Sequence, residues 1–412
     1  MWYDHLSIFS EYHKTNATID TNVVVKFLEQ VDGHLNSTND TVKDVLPQKY
    51  DKFCFVNAVD TELKCVIQNY IDVRQFCGAK EPLGEELDYS IDISCDTRIT
   101  VHDIQGKTRR SIFPSKAHFL AYLIIIAPTK IIDGMWLSSS RLSIQDYYLR
   151  DLISLVYYEE MGEGVIDNNH MEIYRKLLAS FGFHGVNTNS DLILTDTCYI
   201  ESALQLCLGA CDPNAFIPEI LGYTLGYESL GLGILIMRDE CRFWGVSDTY
   251  FSQHISIDNH HCGHAKVMQD AVMHYMEGIM ARGEDVECTW ERVKRGYHWN
   301  VLTVAPCDTR FIDDILRRHI EIRIAEKCLY GEQVHFKTCV KGIVLRDALG
   351  ACADNPNNVW KLLELMKDKG WVTTEAGLDS WFFQTCDAKM PHVYTPYDRE
   401  LLIEGIRMIS KD

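Results

Sequence analysis

The residues from Tyr250 to His264 read Tyr-Phe-Ser-Gln-His-Ile-Ser-Ile-Asp-Asn-His-His-Cys-Gly-His. His254, Asp258 and His261 stand at i, i+4 and i+7. On a helix, these three side chains fall within about 60° of arc. Two imidazoles and a carboxylate converging on one face are half of a metal site. A lone helical histidine is ordinarily a satisfied polar residue. Four histidines and an aspartate within eleven residues are harder to explain by packing. His260 lies about 120° around the helix from His254 and points elsewhere. His264 is expected to support the ligands from behind.

The other half of the site must come from elsewhere in the chain. Glu228 is the sole carboxylate of the apolar run Ile220–Met237. A buried carboxylate needs a proton, a cation or a metal. Glu159 to His170 reads Glu-Glu-Met-Gly-Glu-Gly-Val-Ile-Asp-Asn-Asn-His. Glu163 and His170 are seven apart and share an ideal helix face, whereas Glu160 and His170 are ten apart and about 80° off-face. Gly162 and Gly164 permit a distortion that would bring Glu160 round. Carboxylates mixed with imidazoles suit iron or manganese rather than structural zinc, and six such ligands suffice for two ions. Two metals in a helical bundle follow the diiron carboxylate plan, but paired Glu-x-x-His motifs of the ferritin type are absent in this arrangement.

The order of motifs is Glu-x-Gly-x-Gly-x5-His, then a glycine-rich helix with a lone Glu, then Tyr-Phe before His-x3-Asp-x2-His. It resembles the haem-oxygenase-like diiron oxidases and oxygenases, the iron-containing redox enzymes, over about residues 114–300. The resemblance implies a haem-oxygenase-type helical fold without haem, two Fe(II) ions and O2 as co-substrate. It places metal ligands on Glu160, His170, Glu228, His254, Asp258 and His261, with Glu163 either replacing Glu160 or adding to it. It also implies N-oxygenation of an amine, or C–H abstraction leading to desaturation or C–C cleavage. The substrate would be a small molecule derived from an amino acid, amine or fatty acid. Tyr227, Tyr250 and Phe251 are neighbouring candidates for a substrate pocket, though aromatic packing alone also accounts for them.

Helical elements must position these groups. The spacing predicts helices over Asn22–Val31, Ser115–Ile126, Ser143–Glu160 with Ser143 as N-cap, Met171–Phe181 and Tyr199–Gly209. A further helix starts at Pro218 and carries Glu228. Another holds the His254 stretch and continues through Val272. Beyond them, Arg310–Tyr330 reads as an amphipathic helix with Ile312, Ile315 and Ile322 on its apolar face, and Val359–Lys369 as a helix ended by Gly370. Alternation over Asp88–His102 predicts one or two short strands, and 78–84 a turn. The fold class is therefore mainly α. Residues 1–112 form an α/β accessory or dimerisation region, 113–305 the diiron domain and 306–412 a C-terminal helical extension.

The 412 residues are 46% apolar and 24% charged, with a net charge of −19. That acidity argues against a nucleic-acid binder and a basic membrane anchor. Met-Trp-Tyr-Asp-His lacks the features of a signal peptide. The fifteen cysteines include no Cys-x-x-Cys pair, as expected of reduced thiols in the cytoplasm. The glycines and Glu228 make Ile220–Met237 a core helix rather than a membrane span. The expected partners are a small-molecule substrate, an external electron donor and a second copy in a homodimer. The alternative function is a non-catalytic metal- or ligand-binding protein on the same bundle.

Overall fold

The computed structural model describes residues 9–12, 19–37, 46–76, 111–184, 196–258, 262–300, 309–328, 339–340, 343–353, 355, 358–389 and 392–411. It is mainly α, as expected. The anticipated strands over 88–102, the turn over 78–84 and His261 lie outside the described residues. The chain divides into two compact units. One gathers 1–112, 126–175 and 195–305; the other gathers 113–125, 176–194 and 306–412.

In the first unit, α1 (Thr21–Ser37) buries Val24, Phe27, Leu28 and Val31, the face that helical spacing picks out. It is followed by α2 (Lys52–Phe76). After α3 (Lys116–Ile125), which belongs to the second unit, come α4 (Tyr147–Glu160), α5 (His170–Ser180), of which the residues from Lys176 on belong to the second unit, and α6 (Asp196–Ala210). The remaining helices of the first unit are α7 (Pro213–Tyr227), α8 (Leu232–Trp244), α9 (Thr249–Ile257), α10 (His264–Ala281) and α11 (Val286–Trp299).

Two helix starts differ from expectation, and an aspartate caps each of them. Asp146, not Ser143, accepts from the Leu149 N–H and starts α4. Asp212 caps α7, which starts at Pro213, five residues before Pro218; Pro213 occupies the first turn, where its missing N–H costs nothing.

Helices α7 and α11 cross with their backbones in close approach. Gly222 faces the Val293 carbonyl and Gly296 faces the Glu219 carbonyl; a Cβ at these positions would meet those oxygens at 1.9 and 2.1 Å. Only glycine lets the two backbones approach so nearly. Arg292 then pairs with Glu219 across the crossing at 2.6 Å. Trp136, Trp290, Trp299 and Tyr223 fill the core around it. Residues 213–244 are long and apolar enough to cross a membrane by length and composition. They break at Glu228–Gly231 into α7 and α8, and the most apolar part is largely buried inside the fold.

The second unit pairs α3 with α12 (Thr309–His319), which runs on through a π-helical turn, Ile320–Ile324. That turn buries Ile320 and Ile324, whereas Ile322, expected on the apolar face, is only partly covered. A two-residue antiparallel ladder, β1 (Cys339–Val340) with β2 (Ile343–Val344), precedes α13 (Leu345–Ala353). Then come α14 (Val359–Asp368), ended by Gly370 at φ 63° as expected, α15 (Trp381–Lys389) and α16 (Pro396–Lys411). Buried Asp398 accepts from Arg323 at 2.8 Å, and the Tyr397 hydroxyl pairs with His319 at 2.6 Å.

Candidate metal centre

The site lies in the first unit and is built mostly at helix ends. Helix α4 ends on Glu160 and α5 opens on His170. Between them the chain reverses through Gly162, Glu163 and Gly164, at φ 74°, 53° and 80°. A Cβ on Gly162 would sit 2.4 Å from the Asn169 nitrogen, so the reversal needs glycine there. The distortion expected between Glu160 and His170 is thus a complete break. It brings Glu160 Oε2 to 2.5 Å from His170 Nδ1, with both side chains buried.

Glu163 is corrected by the same geometry. It is exposed, and its left-handed backbone carbonyl accepts from the Tyr158 hydroxyl at 2.9 Å. The ideal-helix spacing that favoured it does not apply, because no helix spans 161–169.

The stretch that carries His254 is also broken. Helix α9 ends at Ile257 with Asp258 as its C-cap, and a new helix starts at His264. His254 and Asp258 remain together, Nδ1 to Oδ2 3.1 Å. His264 does not stand behind the ligands. Its Nδ1 lies 2.9 Å from Glu228 Oε2 and 3.3 Å from both Glu160 Oε1 and Asp258 Oδ1. Its other nitrogen, Nε2, is held 2.8 Å from Glu159 Oε2. A carboxylate on one imidazole nitrogen fixes the tautomer and aims the other nitrogen at a metal.

Two buried groups of possible ligands result: Asp133, Glu160, His170 and His254, and Glu160, Glu228, Asp258 and His264. Glu160 belongs to both. Asp133 was not singled out in the sequence. Like Glu228, it is a single carboxylate in an apolar run, Ile131 to Leu137, and that was the available signal. Tyr227 donates to Asp133 Oδ1 at 2.8 Å, Tyr250 donates to Oδ2 at 2.5 Å, and His254 Nε2 lies 3.5 Å from Oδ2. Both tyrosines therefore hold a carboxylate of the site. Phe251 is buried edge-on to Tyr250 and serves packing.

The donor set fits a metal. Seven buried atoms of these residues have no hydrogen-bond partner among the described residues: both oxygens of Glu160, both nitrogens of His170, Glu228 Oε1, His254 Nε2 and Asp258 Oδ1. Several lie close to one another without hydrogen-bond alignment, as atoms directed at a common ion would. Burying charged groups without compensation costs several kcal/mol per ion. The four carboxylates carry four negative charges, which two divalent cations would match.

Without metal, protons must do part of that work. Burial opposes a charge on His254, but Asp258 and Asp133 outweigh it and raise the imidazole to about 10. Burial also disfavours ionised Asp258, yet His254 and His264 hold it at about 2. Burial, and then the charge on Glu160, push Glu228 well above the usual carboxylate range. Burial opposes ionisation of Glu160 too, but His170 keeps it below its ordinary value.

No curated protein and no solved structure matches the chain. A family model does, over residues 120–297, and its family is described as iron-containing redox enzyme. Every residue of the two ligand groups falls inside that span. The segment that builds this cluster is thus the part of the chain that matches the iron-containing redox enzyme family.

Proposed function

We propose that the chain is a non-haem diiron oxidoreductase that uses O2 on a small organic substrate. The observation that carries this reading is Glu160, shared by two buried ligand groups with both its oxygens unpartnered. In this reading Glu160, common to both groups, would be a ligand shared by the two metals. Asp133, His170 and His254 would hold one, and Glu228, Asp258 and His264 the other; His261, whose spacing presupposed a helix continuing past Ile257, lies outside the described residues. When bound, the iron pair supplies the electrons and the open coordination positions for O2 reduction.

The chain's own residues do the rest. Glu159 keeps the His264 tautomer with Nδ1 free, and Tyr227 and Tyr250 fix the Asp133 carboxylate. The burial of all seven grouped side chains excludes bulk water from the reactive centre. The reaction is an N-oxygenation, or a C–H abstraction that ends in desaturation or C–C cleavage. An external donor returns electrons between turnovers, and the protein works in the cytoplasm in a biosynthetic pathway.

The test is anaerobic reconstitution with Fe(II) followed by O2. The reading expects O2 uptake and a transient visible absorption in the wild-type chain, and neither in Glu160→Ala. O2 uptake no faster than that of free iron would sink it in favour of a non-catalytic metal-binding protein.

A further inference from the structure

Exposed large apolar side chains are unevenly spread over the described residues. Of fifteen, seven fall within 142–166. Singly exposed apolar residues are ordinary, but a contiguous patch marks an interaction site. At about 100° per residue, Tyr147, Tyr148, Leu155 and Tyr158 share about 100° of arc on α4. The opposite face, with Leu149, Ile153, Val156 and Glu160, is buried. The four outer side chains are 42–72% exposed. The patch runs on into the turn after α4. There the Tyr158 hydroxyl donates to the Glu163 carbonyl, and Val165 and Ile166 are 51% and 67% exposed. Charge around it is one-sided. Asp146, Asp151, Glu163 and Asp167 are exposed and Glu159 is half-buried. Arg141 and Arg150 are half-buried and lie over the Tyr157 and Tyr147 rings. On α10, which packs against α4, Lys266 is paired with Asp270 and His274 with Asp146. The metal cluster lies beneath this face. Glu159, at its edge, reaches His264 Nε2 at 2.8 Å, and Glu160 is on the far side of the same helix, about 10–12 Å across.

We propose that this face of α4 and the turn after it dock a small electron-carrier protein whose redox group is rimmed by Lys and Arg. The carrier's task rests on the diiron reading; the surface itself stands on exposure, area and charge. With about 150–250 Å² in each aromatic side chain, the six named residues present roughly 600 Å². Redox encounters bury less than about 1,200 Å² in total, or about 600 Å² a side, whereas obligate homodimers bury about 2,000 Å² or more. The area therefore suits a transient carrier and falls short of a stable second copy. The acidic rim repels acidic carriers and anionic lipid, and it steers a basic carrier into place. On docking, one electron passes from the reduced group of the carrier to a ferric ion of the pair, which becomes ferrous. No bond forms or breaks.

The experiment titrates the full chain, metal-free and iron-loaded, with two carriers at low salt. One is zinc-substituted cytochrome c, a basic protein whose photoexcited porphyrin is a one-electron reductant. The other is a plant-type ferredoxin, which is acidic. By calorimetry the cytochrome is expected to bind the metal-free chain at least about tenfold tighter than the ferredoxin does, and to weaken as salt rises. Asp151→Lys should weaken it about tenfold, and Leu155→Ser, at constant charge, a few-fold. Glu375→Lys, the same charge change on an exposed residue of the second unit, should have less than a third of the Asp151→Lys effect. The Fe(III)-loaded chain should quench the excited porphyrin, and Asp151→Lys should slow that quenching as it weakens binding. Equal losses in Asp151→Lys and Glu375→Lys, undiminished binding in Leu155→Ser, tighter binding of the ferredoxin, no binding of either carrier, or docking without quenching would overturn the proposal. So would a dimer in sedimentation that Leu155→Ser dissociates. Docking by a chain that takes up no iron would sink only the diiron reading, and iron uptake without docking only the surface.

Discussion

Both carboxylate oxygens of Glu160 face imidazoles, His170 on one side and His264 on the other. Glu163, three residues on, faces solvent. Replacement by Ala should separate them: Glu160→Ala should hold fewer than about one iron per chain, and Glu163→Ala about two. Metal analysis after anaerobic loading decides, and equal iron in the two variants would contradict the geometry. His264→Ala should lose iron as severely as His254→Ala. The protons also matter. Without metal, His254 keeps its proton up to about 10 and Glu228 keeps its proton well above the usual range. Iron must displace both, so uptake should release protons and affinity should rise with pH, by about tenfold per pH unit for each proton displaced. Calorimetry in buffers of different ionisation enthalpy would count them; uptake indifferent to pH between 6 and 8 would show that the carboxylates and imidazoles are not the ligands. Residue types announced His254, Asp258 and Glu228, because an imidazole–carboxylate face and a lone carboxylate in an apolar run have few bland explanations. Asp133 gave the second signal more faintly, next to a glycine that reads as a turn.

Helix ends explain what single residues could not. Glu160, Glu228 and Asp258 stand at the C-terminal ends of α4, α7 and α9, and His170 and His264 open α5 and α10. Helix C-termini carry partial negative charge and N-termini partial positive charge. The field at the first disfavours a bare carboxylate charge and draws in a cation, proton or metal, whereas the field at the second favours neutral imidazoles. An ideal-helix projection cannot find this plan. It assumes continuity through 161–169, where the chain turns instead, and beyond Ile257, where α9 ends, so it put Glu163 on the face of His170 and His264 behind the ligands. Only the glycines flanking Glu163 hinted at the first break. Gly162→Ala tests that break directly. With φ at 74° and Asn169 in the way of a Cβ, it should cost about 1–3 kcal/mol and reduce iron content. Gly233→Ala, whose Cβ would meet open space within a helix, should be neutral or slightly stabilising. Chemical denaturation of the two variants should therefore differ in sign or clearly in size; equal effects would mean that the turn is not constrained.

At the scale of the whole molecule, the helical fold was legible because long periodic stretches such as α1, α4 and α14 carry their own pattern. The grouping of segments was not, because it depends on contacts distant in sequence. Residues 113–125 belong with 306–412, while α1 and α2 belong to the unit that holds the metal cluster. Asp32 of α1 accepts from Trp299 and pairs with Arg295 at 2.7 Å each, tying the N-terminal helix to α11. Metal should accordingly stabilise this first unit. At iron about 100-fold above its Kd, binding adds about 2.7 kcal/mol. Chelation should lower the melting transition that reports on it, and unchanged melting would place the metal elsewhere. The central claim is that one carboxylate joins two irons, and Mössbauer spectroscopy of the anaerobically loaded, then oxidised, chain tests it most directly. The account predicts two irons per chain forming one exchange-coupled pair, lost in Glu160→Ala. One iron per chain, two uncoupled irons, or a pair that survives Glu160→Ala would contradict it.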